Sequence, residues 1–317
     1  MDPVRPEPPA SLSGTVVRMH ANRFVVQCGE RRWSCVVGGR LSRDREDQVR
    51  LVAVGDEVVF RPGGEDEGAI ERVMPRRNKI ARPSVRQRHK EQVIVANVDQ
   101  LLAVQAARAP DLHLENLDRC LAIAERYGIP RIVVVINKTD LEAEAALEAV
   151  RATYAPARYQ VLCTSTKDGR GLEEMRTCLA GRTSVLLGPS GAGKSTLINA
   201  MVPTAGLKTG VVSEYTEEGR HTTTWVEMLP IPGGGFLIDT PGIEVFGLWE
   251  VERGEVAALF PEILPLLGTC KFNDCVHGRE PGCAVRAAVE SGAIPPTRWE
   301  SYVRLLAGIP EQRSYRS

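Results

Sequence analysis

The rhythm of apolar and polar positions changes along this chain, and each change marks a different kind of element. From Ser13 to Val73 short segments alternate: GTVVRMH, RFVVQC, RRWSCVV, DEVVFR and GAIERVM, parted by glycine and charged turns. Alternation puts one face of a strand on a core. Strands this short and closely spaced predict a small barrel, most often an OB-fold. From about Val93 the pattern is different: LLAVQAA, RIVVVI, YQVLCTS and TSVLL are nearly continuous apolar strands. Between them Leu114–Tyr127, Leu141–Val150 and Leu172–Leu179 have helical spacing. Strands without a polar face, alternating with helices, predict a parallel sheet covered on both sides. After Leu248 the strands stop, and a cysteine-rich turn leads to two helices near Ala284–Glu290 and Thr297–Leu306. The expected organisation is a disordered tail at 1–10, a barrel at 11–75, a basic linker at 76–92, an α/β domain at 93–250 and a helical domain at 251–317.

Charge refines this picture locally. Lysine plus arginine number 40 and so do aspartate plus glutamate, so no global field draws in a polyanion. Yet Arg72, Arg76, Arg77, Lys79, Arg82, Arg86, Arg88 and Lys90 follow one another with no acid among them. That strip reads either as a solvated linker or as a phosphate-binding surface. The proline-rich MDPVRPEPPA has no apolar segment of a secretory signal, and runs such as Ile132–Ile136 are too short to cross a bilayer. The expectation is a cytoplasmic protein with no membrane partner, and a monomer.

The chemistry begins at GPSGAGKS, Gly188 to Ser195, which follows a strand and opens a helix. This is the G-x-x-x-x-G-K-S phosphate loop in its required context. Gly188, Pro189, Ser190, Gly191, Ala192, Gly193 and Thr196 supply backbone around phosphate oxygens, and the helix N-terminus adds positive potential. Lys194 is expected to reach the β- and γ-phosphates as a catalytic cation, and Ser195 to bind Mg²⁺. LIDTPG ends a strand at Asp239, a second Mg²⁺ candidate, and offers the Gly242 N–H to the γ-phosphate. Between them EEGRHTTT supplies switch-loop threonines. Spacing leaves Thr222 and Thr223 as alternatives for the magnesium shell, with Thr223 taken as the candidate.

Base recognition is expected upstream. RIVVVI runs into Asn137-Lys138-Thr139-Asp140. A carboxylate there accepts from guanine N1 and N2, a donor pair adenine lacks, so Asp140 selects GTP over ATP. Lys138 packs along the base and Asn137 ties the loop together. Ser165-Thr166-Lys167 resembles the Ser-Ala-Lys loop whose backbone meets guanine O6, with Thr166 in place of alanine.

Three cysteines and a histidine, Cys270, Cys275, His277 and Cys283, lie within CKFNDCVHGREPGC. Four soft ligands with no open position predict a closed structural Zn²⁺ site. The other five of the eight cysteines (Cys28, Cys35, Cys120, Cys163 and Cys178) are scattered and read as packing residues.

The motif order, base-reading segments first and phosphate loop afterwards, resembles that of the circularly permuted GTPases. CKFNDCVHGREPGC, GRHTTT and DTPGIEVFGLW resemble the signatures of the small-ribosomal-subunit-dependent GTPase A family, also called RsgA or YjeQ. The resemblance implies a multidomain protein: a small β-barrel of OB-fold type, an α/β circularly permuted P-loop GTPase domain and a C-terminal α-helical zinc-binding domain. It implies a GTP hydrolase stimulated by the small ribosomal subunit and its rRNA, acting late in that subunit's maturation. The residue after Gly242 is Ile243, which cannot orient water through its side chain. Members of the family assign that role to a switch-loop histidine, and His221 is the matching position. The alternative function is a GTP-dependent RNA-binding scaffold with incidental turnover.

Overall fold

The computed structural model describes residues 10–39, 41, 51–84, 90–207, 226–239 and 251–309. The alternating segments form β1 (Leu12–His20), β2 (Arg23–Cys28), β3 (Arg31–Val37), β4 (Glu57–Pro62) and β5 (Glu67–Val73). Their alternate positions Val16, Val26, Cys35, Phe60 and Ile70 are fully buried, and Trp33 packs on Phe60 with ring centres 5.6 Å apart. β1 pairs with β2, β2 with β3, β3 in parallel with β5, β5 with β4, and β4 returns to β1. This closed Greek-key path has the OB-fold architecture. A bulge between Val16 and Arg18 breaks the register of β1 with β2. Bulges bend a strand and re-aim its side chains, and the far end of β1 continues beyond the barrel closure.

The segment expected to be a basic linker carries two further strands, β6 (Lys79–Pro83) and β7 (Glu91–Ala96), which pair as an antiparallel hairpin. Ile80, Val93 and Val95 drive this pairing by burying their side chains. Three cations of the basic strip, Arg76, Arg77 and Lys79, have partners. Arg76 forks onto the wholly buried Asp56, with N···O distances of 2.7 and 2.8 Å, and donates to the Leu51 carbonyl. Arg77 reaches Asp99 at 3.1 Å and the Asn97 carbonyl at 3.0 Å, and Lys79 pairs with Glu91. Asn97 Nδ2 donates to the Gly55 carbonyl at 3.0 Å. A Cβ on Gly55, whose φ is +91°, would overlap the Ala96 carbonyl. Arg76 and the Asn97 side chain therefore fasten the barrel to the chain that follows.

That chain builds β8 (Gln100–Ala106), α1 (Leu114–Arg126), β9 (Arg131–Asn137), α2 (Glu144–Tyr154), β10 (Gln160–Cys163), α3 (Leu172–Leu179), β11 (Arg182–Leu187), α4 (Lys194–Met201), β12 (Val226–Pro230) and β13 (Gly235–Asp239). The strand order is β10-β9-β8-β11-β13-β12, parallel except for β12. Helices α1 and α2 cover one face through Leu117, Leu121 and Leu147, and α3 and α4 the other through Met175, Leu197 and Ile198. α2 starts three residues later than the spacing predicts, at Glu144. Thr139–Leu141 is held as a 3₁₀ turn because Thr139 bonds the Thr164 carbonyl through both its N–H and its hydroxyl. β12 also pairs with β1, Arg18 opposite Glu227 and Met19 opposite Val226, so barrel and α/β sheet are hydrogen-bonded as one.

The C-terminal helices α5 (Ala284–Glu290) and α6 (Pro296–Ala307) fold over a core that includes Phe260, Ile263, Tyr302 and, from α1, Ala122. Arg298, fully buried, joins the two units. It meets Asp118 of α1 at 2.5 Å and Glu262 at 2.6 and 3.2 Å, beneath the ring of Phe260. Tyr154 of α2 donates to the same Asp118 at 2.8 Å.

Candidate functional site: a nucleotide pocket and a metal cluster

β11 delivers the chain to Gly188 at the carboxyl end of the parallel sheet, where α/β folds bind ligands. A side chain at Gly188 would overlap the carbonyl of Val104 on β8. Gly193, with φ +88°, caps α4, and a Cβ there would overlap the Asn137 amide. Only glycine allows the loop to lie this close to its neighbours. The Lys194 ammonium folds back to the carbonyls of Gly188 and Pro189, 2.8 Å from each. Its charge is thus held over the loop where phosphate oxygens would sit. Ser190, Gly191 and the buried Ala192 complete the curve, and Ser195 and Thr196 enter the first turn of α4.

Asn137, at the end of β9 and 1 % exposed, donates to the Ala192 carbonyl at 3.1 Å and accepts from the Thr164 hydroxyl at 3.2 Å. One side chain thus joins the phosphate loop, the turn at Asn137–Asp140 and the end of β10. Lys138 takes a left-handed conformation, φ +59°, and its ammonium is bound by the Ala109 carbonyl. Asp140 accepts from the Ser165 hydroxyl at 2.8 Å, with Lys167 at 3.6 Å. The Ser165 oxygen in turn receives the Lys167 N–H at 3.2 Å, which places Thr166 in the turn facing Asp140. Asp239 ends β13 directly beside the phosphate-loop strand, since Ile238 pairs with Val185. The carboxyl end of the sheet therefore carries Asn137, Lys138, Asp140, Ser165, Thr166, the phosphate loop and Asp239. His221, Thr222, Thr223 and Gly242 lie outside the described residues. Thr164 and the Ala109 carbonyl carry no motif in the sequence; Thr164 was findable only as the neighbour of Ser165.

The second cluster is local. The ligand atoms of Cys270, Cys275, His277 and Cys283 all lie within 4.8 Å of one another. His277 Nδ1 is 3.4 Å from Cys270 Sγ and 3.6 Å from Cys283 Sγ, and those two sulfurs are 3.9 Å apart. A tetrahedron with metal–sulfur bonds of about 2.3 Å has edges of roughly 3.7 Å, so the donor set fits one ion. Burial holds His277 below the ordinary histidine range, which favours the neutral ligand form. The knuckle backbone is clamped from α6: Trp299 Nε1 donates to the His277 carbonyl at 2.9 Å and the Tyr302 hydroxyl to the Val276 carbonyl at 2.6 Å. Glu280 accepts the Val276 N–H at 3.0 Å. Elsewhere burial pushes the Cys35 thiol up to about 11 and Cys120 up to about 12, and raises Cys163 and Cys178, as befits packing residues.

A strand, phosphate loop and helix, joined through Asn137 to a base-reading turn that precedes them in the chain, define a circularly permuted P-loop GTPase. Residues 73–249 match the family model of the RsgA GTPase. The chain is 46% identical to the small ribosomal subunit biogenesis GTPase RsgA of Gemmatimonas aurantiaca, covering 93% of this chain and 96% of that one. It is 40% identical to the protein of the same name from Moorella thermoacetica, covering 96% and 100%. The crystal structure of YjeQ from Thermotoga maritima superposes with a TM-score of 0.75 at 32% identity, covering 96% of this chain and all of that one. YloQ, described as a circularly permuted GTPase, superposes at 0.73 with 27% identity, covering 98% and 100%. The chain belongs to the RsgA GTPase family, and it is a GTPase. No helix among the described residues is long and apolar enough to cross a membrane.

Proposed function

We propose that this protein is a GTP hydrolase stimulated by the small ribosomal subunit and acting late in that subunit's maturation. The observation that supports the nucleotide half is the Asn137 junction, whose hydrogen bonds link the segment bearing Asp140 to the phosphate loop. The partner half is supported by relatives at 40 and 46% identity that bear the name of that role. In this reading Asp140 selects guanine, Lys138 lies along the base, and the backbone of Ser165 and Thr166 meets its O6 edge. Gly188 to Thr196 cradle the phosphates, with Lys194 neutralising the charge that develops on the transferred group. Ser195, Asp239 and Thr223 would hold Mg²⁺, which would supply positive charge to offset that of the phosphates. Gly242 offers its N–H to the γ-phosphate, and His221 orients water in place of the side chain that Ile243 lacks. The cluster of Cys270, Cys275, His277 and Cys283 holds one structural Zn²⁺. The barrel supplies rRNA contacts.

The test is GTP turnover by the whole protein with purified small subunits, purified large subunits or neither. Multiple-turnover hydrolysis accelerated only by small subunits is expected. Binding without acceleration would favour the scaffold with incidental turnover.

A further inference from the structure

The pocket's magnesium side is continuous with the barrel along one row of the sheet. Asp239 on β13 pairs with Glu227 on β12, and Glu227 pairs on its other side with Arg18 on β1. Directly paired residues point to the same face, with Cβ atoms about 4.5–5.5 Å apart. The core assignments identify that face. Val226, Met228 and Ile238 pack with the α1 side, while Leu229 and Leu237 pack with the α3 and α4 side. Glu227 and Asp239 alternate with the first set, so they lie on the face of α4, the helix that carries Ser195. Two carboxylates placed opposite each other repel. In this structure the Arg18 guanidinium is paired to Glu227.

We propose that Arg18, a barrel residue, is a positioning residue of the magnesium centre, acting through Glu227. This rests on the reading that Asp239 and Ser195 hold the ion. Magnesium takes few carboxylates and keeps water and phosphate oxygens in its octahedron. Glu227, paired directly with Asp239 on the same face of the sheet, is a second hard oxygen donor beside it. Arg18 neutralises that acid and draws its oxygens toward the barrel, so the ion is held by the intended ligands. The metal centre is in this way completed across the boundary between barrel and GTPase domain. The sequence hides the arrangement, because Arg18 and Glu227 are 209 positions apart.

The experiment measures the Mg²⁺ dependence of binding of a fluorescent GDP analogue to the full chain. In Arg18→Ala the released Glu227 adds negative charge beside the ion, so the half-saturating Mg²⁺ concentration should fall by about three- to ten-fold. Arg18→Lys, which keeps the charge, should match the parent. Arg18→Ala combined with Glu227→Gln should return to the parent value. An unshifted Arg18→Ala overturns the inference, and so does a shift that persists in the double variant. If the parent protein shows no Mg²⁺-dependent guanine-nucleotide binding, the reading beneath the inference fails and takes the inference with it.

Discussion

Asp140 and Gly193 show two ways in which a single residue shapes the pocket. Asp140 is held by the Ser165 hydroxyl at 2.8 Å, with Lys167 3.6 Å from its other oxygen. Losing a carboxylate that serves two base donors costs about 1–3 kcal/mol. Asp140→Ala should therefore reduce the preference for GTP over ATP by roughly ten- to a hundred-fold, measured by competition for the fluorescent GDP analogue. An unchanged preference would remove Asp140 from base reading. Gly193 acts through the absence of a side chain. Its φ of +88° and its contact with the Asn137 amide leave no room for a methyl group. Gly193→Ala should lose nucleotide affinity at least ten-fold and destabilise the fold by about 1–3 kcal/mol. Thermal melting with and without nucleotide checks both. A variant that binds normally would show that the loop relaxes at no cost.

At the scale of elements, the metal knuckle and α6 depend on each other. Four ligands within 14 residues bring their own loop closure, but the His277 backbone, at φ +57°, is held by Trp299 of α6. Structural zinc sites contribute about 10–16 kcal/mol of apparent binding energy, so a knuckle without metal is not expected to stay folded. The protein should carry one zinc ion per chain by elemental analysis. A zinc-selective chelator, with Mg²⁺ kept in excess, should expose the Trp299 indole, read as a red-shifted emission, while GDP-analogue binding persists. Chelator-indifferent emission from metal-free protein would contradict this. Arg298 is the other device at this scale. Truncating one partner of a buried ion network strands the rest, at about 3–5 kcal/mol. Arg298→Met should lower stability by that amount, whereas adding Asp118→Asn and Glu262→Gln should recover part of it. No recovery would mean that Arg298 works by packing alone.

For the whole molecule, the barrel, hairpin and GTPase sheet are one hydrogen-bonded system, pinned at Asp56, Asn97 and the row from Arg18 to Asp239. The basic strip contributes unequally to it. Arg76 serves the wholly buried Asp56, while Arg77 is more than half exposed. Arg76→Ala should cost about 3–5 kcal/mol because it strands a buried carboxylate. Arg77→Ala should leave the melting temperature near the parent's. Paired denaturation curves decide this, and equally small effects would show that Arg76 behaves as a solvated linker residue as Arg77 does.

The sequence by itself determined whatever is encoded by near neighbours. Barrel strands followed from two-residue alternation, the parallel sheet from continuous apolar runs, and the phosphate loop, Asn137 to Asp140 and the cysteine cluster from short spacings. Their order along the chain was enough to reveal the permutation. Tertiary structure decided what depends on distant partners. Arg298 lies 180 positions from Asp118, and Thr164 lies 27 from Asn137. Arg76 looked like a free cation until the fold set Asp56 beneath it. A side chain's type fixes which partners it needs when it is buried, but only the packed chain determines which of them it meets.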